Sequence, residues 1–280
     1  MDLTTLEKNK IFDRYLDILG LSRKKPSLDA LNELVPAHLR KIPFENISKL
    51  YSRKTADRRN IPSLDEYLDG IERFNFGGTC YTNNYYMNLL LNNLGYNVKL
   101  CGAKIAKEGT SPNGHMISIV NVDGSEYIVD VGYAAPFHVP LPRDLREDFV
   151  IEIGADSYVL KPQDSGGYSH LEYYRRGQLK HGYMAKPVPM RVEQFADVIS
   201  DSYGDKALFL NAIILARFFP NRMLTIRNFT MIELNGPEMH ITELNSLEET
   251  VHAIQKYFNI PSSIALTAIS GMGELRNPWA

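Results

Sequence analysis

The feature that most restricts the fold of this chain is a two-residue turn, Asp123-Gly124, between two β-type runs. The runs read "HMISIVNV" and "EYIVDVGY". Asp-Gly is typical of a tight hairpin, because both turn residues need a positive φ. Centring the turn there places His115 opposite Gly132. A slip of one residue would move every side chain to the other face of the hairpin.

This register puts a histidine and an aspartate on the same face. His115 and Asp130 become diagonal neighbours, ~7–8 Å apart at the backbone, which both side chains can bridge. Asp130 stands among Ile128, Val129 and Val131, and a buried carboxylate costs several kcal/mol unless it is paired. We therefore expect Asp130 to orient His115 as a catalytic base. The alternative is an edge strand that leaves Asp130 in water.

A cysteine stands at the start of a helix-like stretch, "GGTCYTNNYYMNLLLNNLG". Only a thiolate is a good nucleophile, and a free thiol with a pKa of ~8.5 is mostly protonated at neutral pH. The free N–H groups of a helix N-terminus favour the anion. Cys80 is therefore a candidate nucleophile, the alternative being a small buried apolar residue. Cys101, in the apolar run "VKLCGAKI", is expected in the core.

The pattern of the chain changes twice. Up to residue 95 it predicts at least four helices, with Ser27 as a cap and a capping box at Ser63 and Glu66. Short β-type runs separated by Gly, Pro, Asp and Ser then predict an antiparallel sheet or small barrel over about 96–190.

The last part mixes strands and helices. A hairpin flanks "NGP", and a helix follows with Ser246 and Glu249 as a second capping box. The segment "RVEQFADVISDSYGDKALFLNAIILARFF" has no clear assignment. We predict three domains: a helical domain, 1–95, with the nucleophile; a β-barrel domain, 96–190, with the histidine and aspartate; and an α/β lid, 191–280.

Composition excludes several classes of function. Lys plus Arg number 31 against 33 Asp plus Glu among 280 residues, so no net charge favours nucleic acid or an anionic membrane. No apolar run approaches the roughly 18 residues of a membrane span, and the amino terminus lacks a signal-peptide pattern. We expect a cytoplasmic protein. Two cysteines are too few for a disulfide framework or a cysteine zinc site, and we expect no metal.

Four segments together resemble the arylamine N-acetyltransferase family. They are "IPFENIS" (42–48), "GGTCYTNN" (77–84), "GHMISIV" (114–120) and "YIVDVGYAAPF" (127–137), and the similarity continues through "LTIRNFTMIELNG" and "LEETVHAIQKYFNI". The resemblance implies an α+β fold with an N-terminal helical bundle, a central antiparallel β-barrel and a C-terminal α/β lid. The cysteine helix and the His/Asp strands would then be arranged as in cysteine proteases.

The resemblance also implies an activity, in which Cys80, His115 and Asp130 match the catalytic triad. The thiolate would take an acetyl group from acetyl-coenzyme A, and an arylamine, arylhydrazine or N-hydroxyarylamine would attack the thioester. Such an enzyme of xenobiotic metabolism would have small-molecule partners only, as a monomer or weak homo-oligomer.

The same matching assigns the residues around the acceptor. Phe44, Tyr133 and Phe209 would line the acceptor cleft, and Gly132 would leave room beside the thiol. Coenzyme A phosphates favour basic side chains or free amides; the candidates are Lys104, Arg222 and Arg227.

Two positions depart from the family pattern. Phe76 stands where the family usually has Arg, and Thr82 where it usually has Glu. Loss of both charges together leaves neither unpaired, but changes the electrostatics around Cys80.

Two other functions fit the same residues. One is a related Cys-His-Asp acyl transfer, by an amide synthase or a hydrolase. The other is a divergent, weakly active member that mainly binds coenzyme A or a small aromatic.

Overall fold

Helices come first along the chain and strands follow. A computed structural model describes residues 5–106 and 111–276; the first four residues, used above against a signal peptide, lie outside this part. The helices are α1 (Thr5–Leu19), α2 (Leu28–Lys41), α3 (Ile47–Ala56), α4 (Leu64–Phe74), α5 (Cys80–Asn93), α6 (Ala196–Asp201), α7 (Leu247–Phe258) and α8 (Ser262–Ile269).

Most of the strands lie between α5 and α6. The strands are β1 (Phe44–Glu45), β2 (Asn97–Ile105), β3 (His115–Val122), β4 (Ser125–Val129), β5 (Leu141–Pro142), β6 (Phe149–Ile153), β7 (Asp156–Leu160), β8 (Ser169–Arg175), β9 (Gln178–Pro189), β10 (Ile214–Phe219), β11 (Arg222–Arg227), β12 (Thr230–Asn235) and β13 (Glu238–Glu243).

The central strands form one antiparallel sheet of eight, in the order β5-β4-β3-β2-β9-β8-β7-β6. The sheet curls into a nearly closed barrel, which confirms the predicted fold class. Its inner face packs one apolar cluster, which includes Ile117, Ile128, Phe137 and Leu171.

The register predicted from the Asp123-Gly124 turn is confirmed. Ser118 pairs with Val129 and Val122 with Ser125, and both turn residues have positive φ, as a tight hairpin turn requires. One detail differs, because β4 ends at Val129 and Asp130 follows the strand instead of lying within it.

The longest strand of the barrel, β9, had no prediction of its own. It has 12 residues and pairs with both β2 and β8. Its sequence contains Gly182, Pro187 and Pro189, which are typical of loops and edge strands.

A second antiparallel sheet, β1-β10-β11-β12-β13, forms the carboxy-terminal part. Its first strand comes from the helical region, since Phe44 pairs with Ala216. The hairpin around "NGP" is confirmed as β12 and β13. The unassigned segment forms two short 3-10 helices, Val192–Phe195 and Leu208–Leu210, besides α6 and β10.

The predicted helix caps are mostly present. Ser27 accepts from the amide of Ala30 at 3.1 Å, and Ser63 with Glu66 forms the complete capping box of α4. The second capping box was wrong in one half. Ser246 accepts from the amide of Glu249, but the Glu249 carboxylate accepts from Asn245 instead, at 2.7 Å. None of the described helices is both long and apolar enough to cross a membrane.

The helical core contains a buried histidine whose ionisation should limit acid stability. His38 on α2 is fully buried, its Nδ1 lies 3.1 Å from the Tyr15 hydroxyl, and burial lowers the pKa of His38 to about 3. The folded state therefore resists protonation that the unfolded state accepts below a pKa of about 6.5.

We expect stability to fall as the pH drops from about 6.5 towards 3, by up to about 1.4 kcal/mol per pH unit from this residue. Urea unfolding at several pH values should show a shallower acid slope in His38→Gln, while the exposed His252→Gln on α7 keeps the slope of the parent protein. Parallel losses in the parent and His38→Gln would contradict this account.

Candidate active site

The thiol of Cys80 lies at the first residue of α5 and is 8% exposed. Thr79 precedes it as the N-cap residue without a side-chain capping bond. The first N–H groups of an α-helix have no carbonyl partner within the helix. The start of α5 can therefore offer backbone donors to a negative charge at the sulfur.

The glycine loop before Cys80 is held by the strand β1. The buried Glu45 carboxylate accepts from the amides of Gly77 at 3.0 Å and Ser48 at 2.9 Å. Burial raises the pKa of Glu45, while these bonds act in the opposite direction. A Cβ on Gly77 would lie 1.9 Å from the carbonyl oxygen of Pro43, so only glycine fits.

His115 and Asp130 meet as the hairpin register predicts. His115 begins β3 and is 3% exposed, and its Nε2 donates to Asp130 Oδ2 at 2.8 Å. Asp130 is 2% exposed and also accepts from the amide of Gly132 at 3.0 Å. The carboxylate is therefore buried and paired, and the alternative of an Asp130 in water is wrong.

The pair favours a charged imidazole. Burial alone would lower the pKa of His115, but the charge and hydrogen bond of Asp130, followed by those of Cys80, outweigh burial and raise that pKa. Since Nε2 is engaged by Asp130, the ring nitrogen that faces Cys80 is Nδ1. Asp130 is hydrogen-bonded to the His115 ring, and Cys80 is close enough to act on the pKa of the same ring.

A residue without an assigned role holds these groups together. Asn84 on α5 donates to Asp130 Oδ1 at 2.8 Å and accepts from the amide of Val131 at 2.8 Å. It thereby fixes α5, the helix that begins at Cys80, to the Asp130 carboxylate and the backbone that follows it. The available signal was the pair of asparagines at 83 and 84 within an apolar helix, both fully buried.

Gly132 lies against the start of α5. A Cβ there would be 2.8 Å from Cys80 Cα and 2.7 Å from Asn84 Nδ2. The contact is close enough that a side chain would push the helix from the loop that follows Asp130.

The three predicted cleft aromatics fall into two groups. The rings of Phe44 and Phe209 lie 5.8 Å apart. Tyr133 lies 5.4 Å from the His115 ring, and its hydroxyl is 2.6 Å from His181 Nδ1. Tyr133 therefore contacts the His115 ring directly, whereas Phe44 packs beside the glycine loop through its bridge to Gly78.

The three predicted coenzyme A cations do not form one cluster. Lys104 is exposed on β2 of the barrel. Arg222 and Arg227 are the two ends of β11 in the other sheet, and Arg222 forms an ion pair with Glu233 at 2.7 Å. Burial lowers the pKa of Arg227, and the nearby charge of Arg175 acts in the same direction.

The positions that depart from the family pattern are both buried. Phe76 packs on the rings of Phe74 and Tyr51, at 5.3 and 6.1 Å between centroids. Thr82 packs closely on Gly78, because a Cβ added to Gly78 would lie only 2.7 Å from the Thr82 Cβ. An apolar contact and a hydroxyl thus occupy the places expected to hold charges.

Two further findings concern chemistry elsewhere. Cys101 is fully buried, and burial raises the pKa of its thiol to about 12, as expected of a core residue. Within residues 5–106 and 111–276, no group of three or more His, Cys, Asp or Glu side chains converges to hold a metal ion.

Comparison with known proteins identifies relatives of this chain. A model of the N-acetyltransferase family matches residues 27–267. The pineal gland isozyme of arylamine N-acetyltransferase from Gallus gallus is 32% identical over 130 residues, which cover 45% of this chain and 43% of that protein. Proansamycin X synthase from Amycolatopsis mediterranei is 34% identical over 139 residues, 46% of this chain and 51% of that protein.

The chain thus spans about half the length of these curated relatives. Among solved structures, Mycobacterium marinum arylamine N-acetyltransferase in complex with CoA has a TM-score of 0.76 at 20% identity. The similarity covers 92% of this chain and 98% of that one, and shows that the two share a fold.

The bonds of Asn84 predict a large loss of stability when they are removed. Asn84→Leu keeps the approximate volume but leaves a buried carboxylate oxygen and a backbone amide without this partner. We expect a loss of about 2–3 kcal/mol in the free energy of unfolding, measured with urea. The matched control is Asn88→Leu, one turn later, which removes a single bond to the Ser118 hydroxyl at 3.0 Å and should cost about 1 kcal/mol. Equal losses in the two variants would show that Asn84 has no special role.

Proposed function

The chain belongs to the N-acetyltransferase family, and from this premise we propose that it transfers acetyl groups from acetyl-coenzyme A to arylamine nitrogens. The acceptor class includes arylhydrazines and N-hydroxyarylamines. The observation that carries the proposal is the buried Cys80, His115 and Asp130 set, in which the Asp130 bond orients the ring towards the sulfur. The reaction proceeds in two halves through a thioester on Cys80.

In the first half, His115 takes the thiol proton at Nδ1, and the resulting thiolate attacks the acetyl carbonyl carbon. Free N–H groups at the start of α5 stabilise the tetrahedral oxyanion. When the carbon-sulfur bond to coenzyme A breaks, the leaving thiolate takes the proton back from His115. Cys80 is left as a neutral acetyl thioester.

In the second half, the neutral His115 acts as a base on the incoming amine. The nitrogen attacks the thioester carbon, and His115 accepts the proton that the nitrogen loses. Collapse of the tetrahedral intermediate breaks the bond to the Cys80 sulfur and releases the acetylated amine. Throughout, Asp130 accepts from Nε2 and stabilises the imidazolium.

The acceptor cleft is assigned to residues beside this set. Tyr133 contacts the His115 ring, while Gly132, which was expected to leave room beside the thiol, instead lets the loop after Asp130 pack directly on Cys80 and Asn84. Phe44 and Phe209 add an apolar wall next to the glycine loop. Aromatic walls favour a flat aromatic amine.

The coenzyme A contacts remain assigned to Lys104, Arg222 and Arg227, each acting on a phosphate of the donor. Arg222 must then exchange its bond to Glu233, at 2.8 Å from Nε, for a phosphate. Exposed Lys104 needs no such exchange.

Incubation with acetyl-coenzyme A alone tests the first half. Intact-mass spectrometry should show one acetyl group on the protein, and peptide mapping should place it on Cys80. Cys80→Ala should stay unmodified, while Cys101→Ala should load normally because that thiol is buried. An adduct that persists in Cys80→Ala would refute the thioester.

The orienting carboxylate has its own test. In Asp130→Asn the charge that raises the pKa of His115 is lost, so burial dominates and the imidazolium is no longer favoured. Acetyl loading at pH 7 should slow by at least roughly 100-fold, as expected when acid-base catalysis is impaired. Stopped-flow measurement of coenzyme A release checks this, with circular dichroism to verify folding. Loading at the parent rate would remove Asp130 from the mechanism.

The match to proansamycin X synthase favours a second candidate function, in which a nucleophile other than an arylamine attacks the Cys80 thioester and takes the acyl group. An amide synthase or a hydrolase would use the same first half. The discriminating measurement follows acetyl-Cys80 with and without an arylamine such as 5-aminosalicylate. Faster loss with the amine, with formation of its N-acetyl product, supports the proposed function; equal loss in buffer alone favours hydrolysis.

A further inference from the structure

A lysine is buried beside the loop that carries Cys80. Lys49 on α3 is 5% exposed, and its Nζ donates to the Ser202 hydroxyl at 2.8 Å. The same Nζ lies 3.9 Å from the centroid of the Tyr203 ring. Within the described part of the chain, Lys49 forms no ion pair with a carboxylate. A buried ammonium costs several kcal/mol unless nearby groups compensate it.

The lysine lies behind the loop that carries Cys80. It lines a cavity of about 290 Å³ together with Gly77, Gly78 and Thr79, the residues immediately before the thiol. Tyr203, on which the ammonium packs, belongs to the same buried cluster as Cys80. Lys49 and the thiol therefore flank the start of α5.

The surrounding charges do not neutralise Lys49. Phe76 and Thr82 on the same cavity wall carry no charge. The other charged side chains on that wall have partners of their own, namely Arg58 with Glu66, Asp69 with Arg14, and Arg73 over the ring of Phe74.

Three more charged groups approach the surroundings of Lys49 from other elements. Glu45 accepts from the amides of Gly77 and Ser48. Arg217 lies near Glu45, and Asp201 lies near Tyr81. Burial raises the pKa of the wall tyrosines Tyr67 and Tyr203, which keeps them neutral.

The charge of the catalytic set provides the missing partner. A Cys80 thiolate, a His115 imidazolium and an Asp130 carboxylate carry one net negative charge in a buried place. We propose that Lys49 is the counter-charge of this set, a positioning residue that stabilises the Cys80 thiolate from behind the glycine loop. The inference rests on the proposed role of Cys80 as nucleophile.

The ionisation of Lys49 agrees with this role. Burial lowers the pKa of Lys49 to about 8, and the charge of Cys80 acts in the opposite direction. The ammonium form therefore predominates at pH 7. Since the interaction of two charges is mutual, each one favours the ionised form of the other.

Alkylation of the full chain by iodoacetamide, followed from pH 5.5 to 9 with peptide mapping of Cys80, tests the proposal without acetyl transfer. Lys49→Met and Lys49→Gln should reach half of the maximal rate at a pH about one unit higher than the parent, and should approach a rate about tenfold slower than the parent only at pH values well below both midpoints. Lys49→Arg keeps the charge and should stay within about twofold of the parent. The exposed Lys54→Met on the same helix is the matched control and should leave the profile unchanged.

Unchanged profiles in folded Lys49→Met and Lys49→Gln would overturn the proposal. A second measurement needs no variant. The Lys49 side chain, labelled with ¹³C at Cε, is titrated by NMR before and after Cys80 is alkylated. Loss of the thiolate should lower the pKa of Lys49, and an unchanged titration would equally refute the counter-charge. A shifted alkylation profile without acetyl loading would refute the proposed function and leave this inference standing.

Discussion

The buried carboxylate of Asp130 is the group on which the arrangement of the site depends. It accepts from the His115 ring, from Asn84 on α5 and from the amide of Gly132. These donors come from β3, from α5 and from the segment after β4. Because a buried carboxylate without partners costs several kcal/mol, the same bonds that stabilise the fold also hold the His115 ring and the start of α5 in place.

The loop before Cys80 is held by a second set of contacts, which involve β1. β1 pairs with β10 of the carboxy-terminal sheet, and its Glu45 holds the amide of Gly77. The loop that carries Cys80 is therefore linked, through Glu45 and β1, to the carboxy-terminal sheet. Without charges at positions 76 and 82, this chain has a buried ammonium at Lys49 beside the same loop. The counter-charge that we propose for Cys80 therefore comes from α3, outside the segments that carry Cys80, His115 and Asp130.

Local sequence was enough for the features set by turn chemistry and periodicity. The Asp123-Gly124 turn determined the hairpin register, and thereby the meeting of His115 and Asp130. Local sequence was insufficient where the two partners of a contact are distant along the chain. Asn84 lies 46 residues from Asp130, and Lys49 lies 153 residues from Ser202. β9 was missed because its glycine and prolines resemble a loop, while its pairing with β2 and β8 is long-range.

The central claim is that His115 is held as an imidazolium between Asp130 and the Cys80 thiolate. Nitrogen NMR of protein labelled with ¹⁵N in histidine reports the protonation of both ring nitrogens directly. Since the pKa of His115 is raised, we expect both nitrogens to be protonated at pH 7 and the ring to lose a proton only at higher pH. A His115 ring that is neutral at pH 7, or that titrates at the ordinary histidine pKa near 6.5, would contradict the account.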